Sequence, residues 1–144
     1  MAELFVLGLS HHSSPVALRE KLAVPSGELP DTVRRLLGSA GLTEALLVST
    51  CNRVEVYAVA DEAAGASDKA RAFLEESTGP GTLHPHLYER RGADAVRHVF
   101  RVASSLDSMV VGEPQILGQM KDAHAAAREG GGLGGLLDRC FARA

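Results

Sequence analysis

A chain of 144 residues with 45% hydrophobic and 23% charged side chains has the balance of an ordinary globular domain and can bury a core without staples. Its formal net charge of -3, with no block of lysine or arginine, excludes a broad basic face, so any contact with nucleic acid is local. Scarce aromatics and the absence of Trp argue against base-stacking platforms, and no apolar run approaches the roughly 20 residues of a membrane span.

The first predicted element is a buried strand over Glu3–Leu9 (ELFVLGL), short, apolar and bounded by a turn. A short helix, PVALREKLA, follows, with Ser14 as N-cap and Pro15 at its first position. Leu29, Val33, Leu36, Leu37 and Ala40 recur at helical spacing, and Gly41 can end that helix. Ala45–Val48 has no polar alternation and reads as a central strand. From Arg53 the pattern alternates. Val54, Val56 and Ala58 take one face and Arg53, Glu55 and Tyr57 the other, which predicts a half-buried strand.

A helix over Asp68–Ser77 carries Ala70, Phe73 and Leu74 as its stripe, TGPGTLHP forms a loop, and Leu87–Arg91 gives a fourth strand. Asp94–Ser104 reads as a helix with Val96, Val99, Phe100 and Ala103 inward. Pro114 starts another, with Ile116, Leu117, Met120, Ala123 and Ala127 as its stripe; Gly130–Gly135 breaks it and Leu136–Ala144 is helical again. The order β-α(α)-β-β-α-β predicts an α+β fold, a split βαβ (ferredoxin-like) antiparallel sheet with helices on one face plus extra C-terminal helices. Residues 1–129 form the domain, and 130–144 a glycine-rich connection and the start of a connecting helix.

The segment LLVSTCNRVEVYAV holds a thiol, hydroxyls, an amide, a guanidinium and a carboxylate where two apolar strands meet. Cys51 and Cys140 make no disulfide framework, and MAELFVLGLS has no basic leader region, so the expected compartment is cytoplasmic and reducing. A thiol attacks as thiolate, its free pKa is about 8.5, and a neighbouring cation such as Arg53 favours ionisation. Thr50 and Asn52 can hydrogen-bond a substrate or oxyanion. On these residues alone, Cys51 is either a reactive thiol or a small buried hydrophobe at a strand end.

His98 sits beside Val99 and Phe100 and is either an acid, base or orienting group near a thiol or a hydrogen-bonded boundary residue. In LDSMVVGEPQILGQ, Glu113 stands at a turn into a helix, with Ser108, Gln115 and Gln119 as neutral hydrogen-bonding groups; a capped helix with solvated glutamines is the plainer reading. His11 and His12 end the first strand without a cysteine or carboxylate at ligand spacing, so no metal site is expected. GGGLGG (130–135) formally matches the dinucleotide fingerprint. It follows a helix rather than a strand and has nine residues after it, where the fingerprint needs an acid about 20 residues on.

Three stretches, GLSHHSSPVALRE, STCNRVEVY and AVRHVFRVASSLDSMVVGEPQILGQMKDA, together resemble the N-terminal catalytic domain of glutamyl-tRNA reductase, from Leu7 to about Phe141. The resemblance implies that Cys51 is a nucleophile attacking the ester carbonyl of glutamyl-tRNA, giving a thioester. Hydride from NADPH then releases glutamate-1-semialdehyde, the precursor of 5-aminolevulinate and tetrapyrroles. It implies a glutamyl pocket of Thr50, Asn52, Arg53, Ser108, Glu113, Pro114, Gln115 and Gln119. Arg53 would suit the substrate carboxylate and Glu113 its ammonium, and His98 matches a histidine important for activity.

Family members continue into NADPH-binding and dimerisation domains, so these residues alone are expected to form the thioester or slowly hydrolyse the ester without reducing it. The implied partners are glutamyl-tRNA(Glu), a second copy in a homodimer, and glutamate-1-semialdehyde aminomutase as a candidate, with no membrane. Two rival readings stand beside this one. A cofactor-free cysteine esterase would use the same Cys51. A regulatory module would bind a partner, or haem with His11, His12, His98, Cys51 or Cys140 as axial ligands.

Overall fold

The computed structural model describes residues 3–50, 53–76, 78, 79, 81–83, 85–103 and 125. Strand β1 (Glu3–Ser10) leads into helix α1 (Val16–Leu22), a single 3-10 turn (Ser26–Glu28) and helix α2 (Leu29–Ala40). Strands β2 (Glu44–Ser49) and β3 (Arg53–Ala60) follow, then helix α3 (Ala63–Glu75), strand β4 (Tyr88–Arg91) and helix α4 (Ala93–Ala103). The sheet order is β2-β3-β1-β4, and each neighbouring pair is antiparallel. That is the split βαβ arrangement expected from the chain order.

Two apolar layers sandwich the sheet. On one face Phe5, Leu7 and Leu9 of β1 and Val54, Val56 and Ala58 of β3 meet Leu18 and Leu22 of α1, Leu29, Val33 and Leu36 of α2 and Ala70 and Leu74 of α3. On the other face Leu4, Val6, Leu46, Val48, Tyr57 and Val59 meet Ala95, Val99 and Val102 of α4. The first of the extra C-terminal helices therefore closes the face that α1, α2 and α3 leave open. Gly92 directs it there. With φ 57° it turns the chain sharply out of β4, a conformation open to a residue without Cβ, and its N–H is tied to the Leu4 carbonyl at 2.8 Å.

Several local expectations change in this setting. β3 is buried at every position rather than half-buried, because α4 covers its polar face. β2 has no polar alternation yet lies at a sheet edge among the described residues; layers on both of its faces account for its apolar run. The buried stripe of α4 is Ala95, His98, Val99 and Val102, and Phe100 is exposed. The stripes 95-98-99-102 and 96-99-100-103 share Val99 and differ by one residue, about 100° of helix rotation, and a polar partner under His98 selects the first. Ser14 does not cap α1: its hydroxyl donates to the Ser10 carbonyl at 2.8 Å, and Pro15 stands at the cap position. α3 begins five residues before Asp68, at Ala63. The helix starting at Pro114, the 130–135 glycines and the 136–144 helix lie outside the described residues.

Gly8 is an interior glycine of a central strand. Its register partners are Glu55 on β3 and Tyr88 on β4. A Cβ there would lie 2.6 Å from the Val54 carbonyl oxygen and 2.7 Å from Glu55 Cγ, and one of these contacts is to backbone that cannot yield locally. The missing side chain makes the slot through which Glu55 leans toward Tyr88. Gly8→Ala is expected to destabilise the chain by about 1–3 kcal/mol through overpacking, read as a lower midpoint in urea unfolding.

Candidate functional site

The strand β2 ends at Ser49 and β3 begins at Arg53, and the connection is clasped by its own flanks. Thr50 N–H donates to the Arg53 carbonyl at 2.8 Å, and Arg53 N–H donates back to Thr50 Oγ1 at 3.1 Å. The two residues between them are Cys51 and Asn52, which lie outside the described residues. Ser49 Oγ accepts the Val24 N–H at 2.9 Å, tying the chain after α1 to the end of β2. A cavity of about 430 Å³, lined by Val16, Arg19, Val24, Pro25, Ser49 and Thr50 among others, reaches this clasp from the α1 side.

Arg53, Glu55 and Tyr57 project from one face of β3 into the layer under α4. Glu55 is fully buried, yet its carboxylate is served from three directions. Tyr57 Oη donates to Oε1 at 2.5 Å and Tyr88 Oη donates to Oε2 at 2.5 Å. His98 Nε2 donates to the same Oε2, and Arg53 Nη1 lies 3.5 Å from it as an ion pair. The ring centroids of Tyr88 and His98 are 5.5 Å apart. Arg53 and His98 are themselves buried, so this is an ionic cluster inside the fold rather than a solvated pair.

Electrostatics follow from that enclosure. Burial pushes the Glu55 carboxyl up, but the His98 hydrogen bond and charge, the Arg53 charge and the Tyr57 hydroxyl together bring it below its usual 4.5. The Tyr57 phenol moves the other way, well above 10.0, because burial and the adjacent Glu55 charge both oppose a phenolate. Glu55 is thus ionised and Tyr57 is a neutral donor to it.

Of the expected site residues, Thr50, Arg53 and His98 are brought into one connected set: Thr50 to Arg53 through the backbone clasp, and Arg53 to His98 through Glu55. Cys51, Asn52, Ser108, Glu113, Pro114, Gln115, Gln119 and Cys140 lie outside the described residues. His11 and His12 stand in the β1–α1 connection with ring centroids 3.9 Å apart. Among the described residues no three His, Cys, Asp or Glu side chains gather as a metal site, and no helix is long and apolar enough to cross a membrane. Nor do those residues offer a dinucleotide cradle, since the described sheet has no parallel neighbours and no glycine-rich strand-to-helix turn.

Sequence reasoning gave Glu55, Tyr88 and Gly8 no role. The available signal was three polar or amphipathic residues, Arg53, Glu55 and Tyr57, at alternate positions of an otherwise apolar strand. Such a face needs either water or polar partners, and His98 is one.

The strand order and connectivity define an α+β domain of split βαβ topology. The chain belongs to the family described as glutamyl-tRNAGlu reductase, N-terminal domain, whose model matches residues 7–144. It is 49% identical over 142 residues to glutamyl-tRNA reductase 2 of Koribacter versatilis, covering 97% of this chain and 32% of that protein. It is 51% identical over 140 residues to the glutamyl-tRNA reductase of Xanthomonas oryzae pv. oryzae strain PXO99A, covering 96% and 31%. The solved glutamyl-tRNA reductase from Methanopyrus kandleri superposes with a TM-score of 0.77 at 38% identity, over 97% of this chain and 32% of that one. The chain thus spans about a third of the length of these relatives.

The two shifted groups set the expected pH dependence of stability. Glu55 has a depressed folded value, so its contribution is complete above 4.5 and is lost as pH falls through the folded value. Tyr57 has a raised folded value, so its contribution is complete below 10.0 and is lost as pH rises beyond it. Urea unfolding across the acid range should show a shallower loss of stability in Glu55→Gln than in the wild type. Tyr57→Phe should flatten the alkaline limb.

Proposed function

We propose that this chain is the catalytic, glutamyl-binding domain of an NADPH-dependent glutamyl-tRNA reductase, acting in tetrapyrrole (5-aminolevulinate) biosynthesis. The observation that carries the reading is the clasp that brackets Cys51, whose Arg53 is joined through Glu55 to His98. In the proposed reaction the Cys51 thiolate forms a C–S bond to the ester carbonyl of glutamyl-tRNA(Glu). The ester C–O bond breaks, and the ribose oxygen leaves as a hydroxyl by taking up a proton equivalent to the one the thiol gave up on ionising. Arg53, two residues on from Cys51 in the chain, is assigned as the cation that favours the thiolate and as the guanidinium fork for the substrate carboxylate. Thr50, Asn52, Ser108, Pro114, Gln115 and Gln119 complete the glutamyl pocket, and Glu113 meets the ammonium. A thioester is a better hydride acceptor than an oxygen ester, so covalent capture divides one hard step into two.

NADPH supplies the hydride that releases glutamate-1-semialdehyde. The described residues do not fit it, so it is proposed to be held outside them, by the same resemblance that suggests homodimerisation and a partnership with glutamate-1-semialdehyde aminomutase. A reducing cytoplasm suits a free thiolate nucleophile. The haem-binding alternative gains nothing from the described residues: His98 is buried with Nε2 engaged by Glu55, and the cavity at Thr50 has no histidine among its described lining.

The test is single-turnover mass spectrometry of the 144-residue chain mixed with glutamyl-tRNA and quenched in acid. The expected result is one added glutamyl group on the Cys51 peptide, absent in Cys51→Ser, with no semialdehyde formed when NADPH is present. Rapid deacylation of the tRNA without an adduct would support the esterase reading instead. Absence of both adduct and deacylation would remove the catalytic reading for this chain.

A further inference from the structure

Burying an ionised carboxylate with a guanidinium and an imidazole is a poor way to glue a helix to a sheet. Apolar side chains of similar volume usually hold as well or better. The surrounding layer is built that way, from Leu46, Val48, Val59, Val99 and Val102. The exception is local, and it converges on one oxygen: Glu55 Oε2 takes the Tyr88 hydroxyl and His98 Nε2, with Arg53 Nη1 at 3.5 Å. Arg53 begins the strand that leaves Cys51, and His98 comes from α4. One carboxylate therefore sets two elements against each other, one of them the strand that follows Cys51 in the chain.

The His98 ring has a second consequence. Its Nδ1 is buried and takes no hydrogen bond among the described residues. Because the partner of Nε2 is an ionised carboxylate, which has no proton to give, Nε2 carries the proton. In the neutral ring Nδ1 is then a bare acceptor. Other charged or titratable groups facing this ring are Arg53 and Tyr57 from β3 and Tyr88 from β4. Glu44 of β2 shares the same sheet face two register steps beyond Leu46 and Tyr57, while β1 presents apolar Leu4 and Val6 to the layer.

We propose that Glu55 is the positioning residue of this site: it holds the His98 ring by Nε2 and leaves Nδ1 as the nitrogen that meets a donor in the reacting complex. This rests on the reading of the chain as a Cys51 acyl-transfer domain and assigns a role to a residue which that reading does not use. Glu55 acts through His98 and Arg53 and does not itself touch substrate. Gly8 belongs to the same device, since a side chain there would occupy the space of Glu55 Cγ.

The experiment uses the 144-residue chain with ¹⁵N-labelled histidine, as wild type, Glu55→Gln and Glu55→Asp, with His98 assigned by His98→Asn. Two readouts are taken: the rate of glutamyl adduct formation on Cys51, and the tautomer of the neutral His98 ring by NMR. The wild type should show the proton confined to Nε2. In Glu55→Gln one amide oxygen replaces two carboxylate oxygens for three donors, so the ring should sample both tautomers and adduct formation should slow by at least ~10-fold. Glu55→Asp keeps the charge with a shorter reach and should retain the tautomer while slowing the adduct a few-fold.

A folded Glu55→Gln chain with either readout at the wild-type value would overturn the positioning role. If Glu55→Gln does not fold, a wild-type rate in Glu55→Asp overturns it equally. Should the wild type form no adduct at all, the acyl-transfer reading fails, and the tautomer comparison alone still decides whether Glu55 sets the ring.

Discussion

The ionised carboxylate of Glu55, enclosed under α4, is the constraint around which the rest of this domain is arranged. A buried charge is tolerated where its oxygens are filled by donors and a counter-charge stands near. Here the donors come from three elements: Tyr57 and Arg53 on β3, Tyr88 on β4 and His98 on α4. Each must be in register for the charge to be supportable. Gly8 in the strand between β3 and β4 removes the side chain that would stand in the way. A turn of α4 that buried Phe100 would take His98 off the carboxylate and leave a buried charge short of a donor.

The described part of the candidate site is organised around the same point. The β2–β3 connection is clasped at Thr50 and Arg53, which ties the end of β2 to the start of β3. Two residues further along that strand is the carboxylate that holds the histidine. The Arg53 guanidinium and the His98 imidazole are thereby referred to one central strand, the kind of support that a candidate site needs to keep its geometry.

Much of the architecture was legible in the chain. Leu29, Val33, Leu36 and Ala40 mark α2 by period, and Gly41 ends it where expected. The alternation after Arg53 marks β3, and the order of elements gives the split βαβ topology. The parts that were misread share a cause, which is that they depend on contacts distant in sequence. Arg53, Glu55 and Tyr57 look like a solvated face until α4 is laid over them, 43 residues on from Glu55 to His98. Phe100 looks more suitable for burial than His98 until the carboxylate is in place. Edge strand β2 reads as central because hydropathy reports covered faces and is silent on covered edges. Of the site, the Cys51 cluster and His98 were visible as residue types in company. The link between them through Glu55 was not, since a glutamate in an alternating strand is ordinarily a surface residue.

The two layers of the sandwich carry different burdens. The α1–α3 side of the sheet is built from apolar contacts at its centre, with Phe5, Leu7, Val54 and Val56 facing Leu36, Val33 and Ala70. The α4 side holds the ionic cluster. Because side chains alternate between faces, a single strand such as β3 serves both without mixing them, and the sheet acts as a partition. Sequence drift in the apolar α1–α3 layer can therefore change how firmly the domain is folded while leaving the ionic cluster in place. On the other face a swap at Arg53, Glu55, Tyr57, Tyr88 or His98 disturbs a buried charge even when it preserves volume, so the two faces tolerate change on different terms.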